Sequence, residues 1–358
     1  MRKKDLSSLR QANRRLVLSH LAQGQPLSRT ELAERTGLSA STVSAIVSGL
    51  VADCIVHETG DTASTGGRGR RLLDINPTSG AILIVEVRGR SAVLTFNDMS
   101  LAPRRQLSIE LSMLPDAGEK LFNAISRAVE QYTSAEDAEP LVGIGLLVDD
   151  QTVASFLTLL YSTGFDEASI GLRQALMTRF KVPVLEESIQ ECSARELVAR
   201  HVEDARSWAY IAIGPRITLS IAANDKSILS GERNWADLTE SVMPGVEHPE
   251  AVLSKLTEES GRTKPMWTRF LTRLGDTLTT VVSLVPLDVL LVSGEIVQTA
   301  GFTELLANCL KPRLHEKVPQ VIPVTRHDSK AVTQLANNLR TAVLTAYTIP
   351  RQCCRINP

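Results

Sequence analysis

The sequence predicts an α/β protein: a small winged helix-turn-helix at the N-terminus, then a larger body in which strands alternate with helices. Three observations predict it. Two short helical patterns meet at a glycine between residues 28 and 53. A glycine- and arginine-rich stretch then separates two β-like runs. From Gly80 onward, apolar strand patterns alternate with amphipathic helices.

The helical pair is the stretch SRTELAERTGLSASTVSAIVSGLVAD, Ser28 to Asp53. Ser28 followed three residues later by Glu31 makes a capping box, in which each side chain satisfies a backbone donor that the first turn leaves orphaned. Gly37 ends that helix, because glycine takes the left-handed conformation without a Cβ penalty. Ser39 caps the second helix, whose apolar positions Val43, Ile46, Val47, Leu50 and Val51 recur at helical spacing. Ala33, Gly37, Val43 and Ile46 fall where a helix-turn-helix needs a small contact residue, a turn glycine and two buried anchors. The other face, Ala40, Ser41, Thr42, Ser44 and Ala45, is small and polar. Such a face can enter a major groove closely enough for hydroxyls to reach base edges and phosphates. A helical hairpin with a merely solvated face is the bland alternative, but turn, caps and face all agree on double-stranded DNA as the partner.

The charge distribution points the same way. A net charge of −1 over 358 residues hides eleven Lys/Arg against seven Asp/Glu within residues 1–75, and twenty-eight against thirty-three in the rest. A basic end on an acidic body suits a module that docks on phosphate while the remainder stays clear. Apolar residues make up 43% of the chain, which at this length builds two or three cores. Cys54, Cys192, Cys309, Cys353 and Cys354 show no CxxC spacing, which predicts neither a disulfide framework nor a zinc site. Arg2, Lys3 and Lys4 are followed by polar residues instead of a signal-peptide core, and no stretch approaches the roughly 20 apolar residues of a membrane span. A cytoplasmic protein with no membrane partner is expected.

Leu9 to Gln23 reads as a helix packing behind the pair through Leu9, Ala12, Leu16, Val17 and Leu21, with Gly24 and Pro26 ending it. Residues 54–58 and 71–75 read as the strands of a wing, joined by a loop over 59–69. The segment GGRGRR at 66–71 carries Arg68, Arg70 and Arg71 with no acidic neighbour before Asp74. Arginines on a glycine-rich backbone suit the DNA backbone or a narrow minor groove; a solvated linker is the other reading of such a run. Asn76-Pro77 marks a boundary, giving a DNA-binding domain over 1–76 and a body over 77–358. In the body, strands are predicted at 81–87, 91–96, 141–148, 182–185, 208–213, 217–222, 289–292 and 321–324. Helices are predicted at 121–132, 170–180, 188–201, 249–259, 264–285, 301–314 and 331–346.

The order and wording of these segments resemble the ROK family (repressor, open reading frame, kinase) over nearly the whole chain. SRTELAERTGLSASTVSAIVSGLVADCIV, the glycine–arginine loop and LLDINP are similar to the N-terminal signature of its regulators. VEVRGRSAVLTFND, LVGIGLLVDD, KVPVLEESIQECSARELVA, YIAIGPRITLSIAANDKSILSG and VLLVSGEI follow in the family's order. The resemblance implies a two-lobed actin-like (ribonuclease H-like) ATPase fold behind the winged helix-turn-helix. It also implies a body that dimerises and senses a carbohydrate-like effector.

The positions that match the family's kinase chemistry have lost it. Where the kinases carry an aspartate and small residues that cradle nucleotide phosphates, this chain has Glu86-Val87-Arg88-Gly89-Arg90. Where an asparagine and the catalytic aspartate follow the short PV strand, Ser188 and Ile189 stand, and isoleucine cannot accept a hydroxyl proton. The second glycine-rich turn reads Gly214-Pro215-Arg216. The glutamate–glycine–histidine motif and the zinc-site cysteines are missing from the segment Gly231 to Glu240, and His248 has no cysteine partner. Losing the base, both phosphate turns and the metal ligands together implies no kinase activity, no catalytic residue, no cofactor and no metal.

The expectation is a sequence-specific DNA-binding transcriptional regulator of the repressor type. Ser39, Ser41, Thr42 and Ser44 would contact bases or backbone. Arg29 and Thr30, at the positive start of the preceding helix, would hold phosphate, and Arg68, Arg70 and Arg71 the wing-side backbone or minor groove. Glu187, Glu191, Asp237 and Glu240 are the acceptors offered to sugar hydroxyls, though carboxylates in an α/β protein mostly serve surface solvation. A homodimer or dimer of dimers would read a two-fold operator with half-sites spaced by helical turns. A ROK-type sugar kinase, or a scaffold using the N-terminal module for protein contacts, are the alternatives from other classes.

Overall fold

The computed structural model describes residues 3–63, 70–111, 117–148, 171–201, 205–223, 226–228, 236–258, 265–314, 318–324 and 330–346. Its N-terminal part runs α1 (Lys3–Leu21), β1 (Leu27–Ser28), α2 (Arg29–Thr36), α3 (Ala40–Ala52), β2 (Val56–Ala63) and β3 (Arg70–Ile75). The three strands form an antiparallel sheet in the order β1-β3-β2. Three helices and this ribbon make the predicted winged helix-turn-helix.

The caps form as the sequence dictates. Ser28 Oγ accepts from the Glu31 amide at 3.3 Å, and the Ser28 amide donates to Glu31 Oε2 at 2.8 Å. Gly37 takes φ +68 and its amide donates to the Ala33 carbonyl at 3.0 Å. Ser28→Ala removes the box, with an expected loss of about 1 kcal/mol in unfolding free energy. A lower urea midpoint at unchanged slope is the measurement that checks it.

Two packing expectations need correction. In α1, Val17, Leu18 and Leu21 are buried, but Leu9 and Leu16 stay 51% and 38% exposed, and Ala12 is exposed too. The 19-residue helix is about 28 Å long, and the eight-residue α2 under it covers less than half of that. Among residues 8–21 it is the last turns of α1 that meet the core. In α3 the buried stripe is Val43, Val47 and Leu50, while Ile46 is half-buried and Val51 is 37% exposed. At about 100° per residue these two lie on opposite margins of the stripe, not on its centre.

The chain divides into two compact units: residues 1–147, 156–187 and 332–358 form the first, and 148–155 with 188–331 the second. Beyond the winged part, the first unit holds β4 (Ala81–Arg88), β5 (Ser91–Asp98), β6 (Pro103–Glu110), α4 (Ala117–Thr133), β7 (Leu141–Val148), α5 (Leu172–Phe180) and β8 (Val184–Ser188). Its sheet runs β6-β5-β4-β7-β8. The second unit continues with α6 (Ile189–His201), β9 (Ser207–Ile213), β10 (Ile217–Ala223), β11 (Lys226–Ser227), β12 (Ala236–Asp237), α7 (Thr239–Val242), α8 (Pro249–Thr257), α9 (Pro265–Leu284), β13 (Val289–Ser293), α10 (Phe302–Leu314) and β14 (Gln320–Val324). Its sheet runs β11-β10-β9-β13-β14, with β12 paired to β10. The last helix, α11 (Lys330–Ala346), returns to the first unit.

Both sheets share one plan. Three strands form a meander, then the fourth and fifth are added on the far side of the first. This duplicated order is what an actin-like body requires. In the second unit β9 and β10 are antiparallel, while β13 runs parallel to both β9 and β14. Its core packs Ile211, Leu219 and Leu290 against Trp267, Phe270 and Phe302, the Trp267 and Phe302 rings meeting edge to face at 6.1 Å.

Strand β6 was not anticipated. Its sequence PRRQLSIE is exposed or half-buried throughout, so an edge strand with one polar face and a weak apolar one carries no clean alternation. Strand β8 starts at Val184 instead of 182, since Pro183 has no amide to donate; its carbonyl accepts from Ile144 N at 3.0 Å. Cys54 is disulfide-bonded, a pairing that the cysteine spacing does not predict, whereas Cys192 and Cys309 form no disulfide. Among the described residues no helix is long and apolar enough to cross a membrane, and no group of three or more His, Cys, Asp or Glu could hold a metal ion.

Candidate nucleic-acid interface

Burying Val43, Val47 and Leu50 turns the opposite side of α3 outward. Ser39, Ala40, Ser41, Ser44, Ala45 and Ser48 are exposed, and Thr42 is half-buried at the edge of this face. The N-terminal hydroxyls form a small cluster. Ser39 Oγ accepts from the Thr42 amide at 3.2 Å and lies 3.0 Å from Ser41 Oγ and 2.8 Å from Thr42 Oγ1. A cap that fixes three hydroxyls at a helix N-terminus also points free backbone dipole at whatever docks there. No side chain on this face is longer than threonine, so a helix could sit deep in a groove.

Two of the arginines read from the sequence share one carboxylate. Arg71 donates to Glu58 Oε2 at 2.5 Å, and Arg29 lies 3.4 Å from Glu58 Oε1. The hydrogen-bonded Arg71 and the charge of Arg29 hold the Glu58 carboxyl below its usual range, and Arg71 is raised in turn. Arg71 is 72% exposed, so its guanidinium stays open to an anion while tethered. Thr30 is exposed at the start of α2. Arg68 and the Arg70 side chain lie outside the described residues. Sequence reasoning missed Glu58, because it looked for acidic neighbours along the chain. The signal was the hairpin: Glu58 pairs with Leu73, which makes Arg71 its diagonal neighbour across the ribbon.

In the body, the positions compared with kinase chemistry hold other structure. Arg88 pairs with Glu86 two residues earlier on β4, and Gly89 in the turn that follows takes φ +53. Ile189 is 1% exposed, so the residue at the catalytic-base position faces the core. Gly214 N donates to the Arg216 carbonyl at 3.1 Å. Of the four carboxylates offered to a sugar, Glu187 belongs to the first unit and accepts from Asn338 Nδ2 at 2.9 Å. Asp237 and Glu240 belong to the second unit. Asp237 accepts from the Thr239 amide at 2.9 Å and lies 3.4 Å from Arg216 Nη1, and Glu240 accepts from the Gly245 amide at 3.1 Å. The side chain of Glu191 lies outside the described residues, as do residues 231–235. His248 is exposed and lies 3.3 Å from Glu250.

The family model for winged helix-turn-helix DNA-binding domains matches residues 10–53. The N-terminal module is a winged helix-turn-helix DNA-binding domain. A solved structure described as a ROK family transcriptional regulator, a homolog of the E. coli MLC protein, superposes with a TM-score of 0.60 at 13% identity, covering 95% of this chain and 100% of that one. The chain has the fold of a ROK family transcriptional regulator. Relatives by sequence carry related names. The xylose repressor of Bacillus subtilis (strain 168) is 24% identical over 224 residues, 62% of this chain and 58% of that protein. The DNA-binding transcriptional dual regulator NagC of Escherichia coli (strain K12) is 28% identical over 181 residues, 49% of this chain and 43% of that protein. The matches span less than two thirds of these relatives' length.

The Glu58 tether makes a direct prediction. Glu58→Gln frees two guanidiniums from their shared counter-charge. Non-specific duplex binding is expected to tighten several-fold, and the slope of log K against log salt to steepen by about one unit. A titration at three salt concentrations reads both, and an unchanged slope would place Arg29 and Arg71 away from phosphate.

Proposed function

We propose that this chain is a sequence-specific DNA-binding transcriptional repressor. Residues 1–76 read a duplex operator, and residues 77–358 form a body without kinase activity that dimerises and senses a sugar-like effector. The observation that carries this reading is the outward face of α3: small, hydroxyl-rich and free of bulky side chains. Ser39, Ser41, Thr42 and Ser44 meet base edges or the adjoining backbone, and Thr30 with the arginines holds phosphate. Lack of catalysis is supported by the buried Ile189, since a sugar hydroxyl needs a base within hydrogen-bond reach. The xylose repressor of Bacillus subtilis, and the N-acetylglucosamine repressor of Escherichia coli O6:H1, which is 28% identical over 181 residues, make D-xylose and N-acetylglucosamine the first effectors to try.

A mobility-shift titration of the full chain against genomic fragments tests the proposal. A few fragments sharing a two-fold site are expected to be retained at nanomolar concentration, with at least about a thousandfold preference over bulk DNA. Equal retention of every fragment contradicts specific reading. Calorimetry with ATP and either sugar is expected to yield no phosphorylated product, and turnover would return the chain to the kinases.

A further inference from the structure

Helix α11 touches the winged module at one end of its buried face and a candidate effector carboxylate two residues away. Arg340 on this helix is 5% exposed. Its Nη2 donates to the carbonyl of Ala22, just past the C-terminus of α1, at 2.5 Å and to Asn337 Oδ1 at 3.0 Å. Its Nη1 donates to the carbonyl of Met99, in the β5–β6 turn, at 3.3 Å. Ala22 O is one of the carbonyls a helix end leaves unpaired, where a cation is favoured by both hydrogen bonding and the helix dipole. Gly24, two residues on, turns the chain at φ +84; a Cβ there would make only an ordinary contact with Arg340 Nη2, at 3.6 Å. One buried guanidinium thus ties the DNA-binding module to the body sheet.

The same helix reads the body. Asn338 donates to Glu187 Oε1 at 2.9 Å, at the end of β8. Leu335, Leu339 and Val343 press so closely on β7 that a Cβ on Gly143 or Gly145 would come within about 3 Å of them. A helix seated against bare backbone moves as a unit if it moves at all, because close-packed contacts do not deform continuously.

We propose that Arg340 is the positioning residue that seats the winged module on the body, and that α11 links this seat to Glu187 through Asn338. A ligand that takes the Glu187 carboxylate from Asn338 then loosens the Ala22 end of α1 and changes how the reader is presented. The inference rests on the regulator reading for its purpose, but the linkage itself can be measured without DNA.

Hydrogen exchange on the full chain tests it. Arg340→Lys keeps the charge but loses the fork that reaches Ala22 and Met99 together. Exchange of the amides of residues 22–24 is expected to rise at least tenfold, with β4, β5 and β9 unchanged. Asn338→Asp sets like charges against each other at Glu187 and touches neither Ala22 nor Met99. The same rise at 22–24 is expected from it. Protection there within twofold of wild type in Asn338→Asp overturns the linkage. Loosening of β4 and β5 along with 22–24 in Arg340→Lys overturns the positioning role and leaves Arg340 a core residue.

On DNA, Arg340→Lys is expected to weaken binding to a two-fold site at least tenfold and to leave a single half-site duplex unaffected. Equal losses on both contradict the positioning role. Absence of specific binding by the wild type would instead count against the regulator reading and leave the exchange result standing.

Discussion

Ser44→Asp is expected to lower operator affinity by about a hundredfold or more, equivalent to about 2.7 kcal/mol, without disturbing the fold. Ser44 is exposed on the outward side of α3, one turn in from the cap. An aspartate costs little in a helix, a few tenths of a kcal/mol against serine. Against DNA it brings a carboxylate within a Debye length of several phosphates, and the field of each adds. It also sets an acceptor against the acceptor-rich purine edges of the major groove. Ser44→Ala, which removes one hydroxyl and adds no charge, should cost tenfold at most. Fluorescence anisotropy gives the affinities, and thermal unfolding checks that the aspartate variant melts like the wild type. Wild-type affinity in Ser44→Asp would mean that α3 is not the element in the groove.

Gly294→Ala is expected to destabilise the second unit by about 4 kcal/mol, the range reserved for a direct core conflict. Gly294 ends β13 with φ +123, and an added Cβ would lie 2.0 Å from the carbonyl oxygen of Ile213 on the neighbouring strand β9. Backbone cannot swing aside as a side chain can. The alternative φ would break the turn into the following 3-10 segment, Glu295–Gln298. Gly145→Ala meets Ile84 Cδ1 at 2.8 Å and Leu335 Cδ2 at 3.0 Å, both movable side-chain ends, and should cost much less. Calorimetry of the two variants should separate them by about 10 °C, taking 2–4 °C per kcal/mol for a unit of this size. Similar melting of both would show that the β9–β13 approach relaxes more easily than its geometry says.

Much of the fold was legible because its elements announce themselves locally. The capping box at Ser28, the glycine at 37 and the continuous apolar run of β7 each leave a signature in a few adjacent residues, and each formed where it was read. What escaped depends on partners distant in sequence. Leu9 and Leu16 carry a helical stripe, but nothing in the chain near them says that α2 is too short to cover it. Edge strand β6 lacks alternation because one of its neighbours is water. Glu58 is paired with Arg71 thirteen residues away, through a hairpin register that the chain order hides. Arg340 looks like an ordinary surface residue of an amphipathic helix until Ala22 and Met99 are brought beside it.

The most direct test of the central claim is selection of bound sequences from a pool of random duplexes by the wild type, Thr42→Ala and Arg70→Ala. Thr42 sits at the edge of the exposed face with its hydroxyl 2.8 Å from Ser39 Oγ. The account predicts an enriched two-fold motif for the wild type and a motif relaxed at a defined position for Thr42→Ala. For Arg70→Ala it predicts the unchanged motif with weaker binding at every sequence and a flatter salt dependence. Failure to enrich any sequence, or one identical motif from all three at equal affinity, would contradict it.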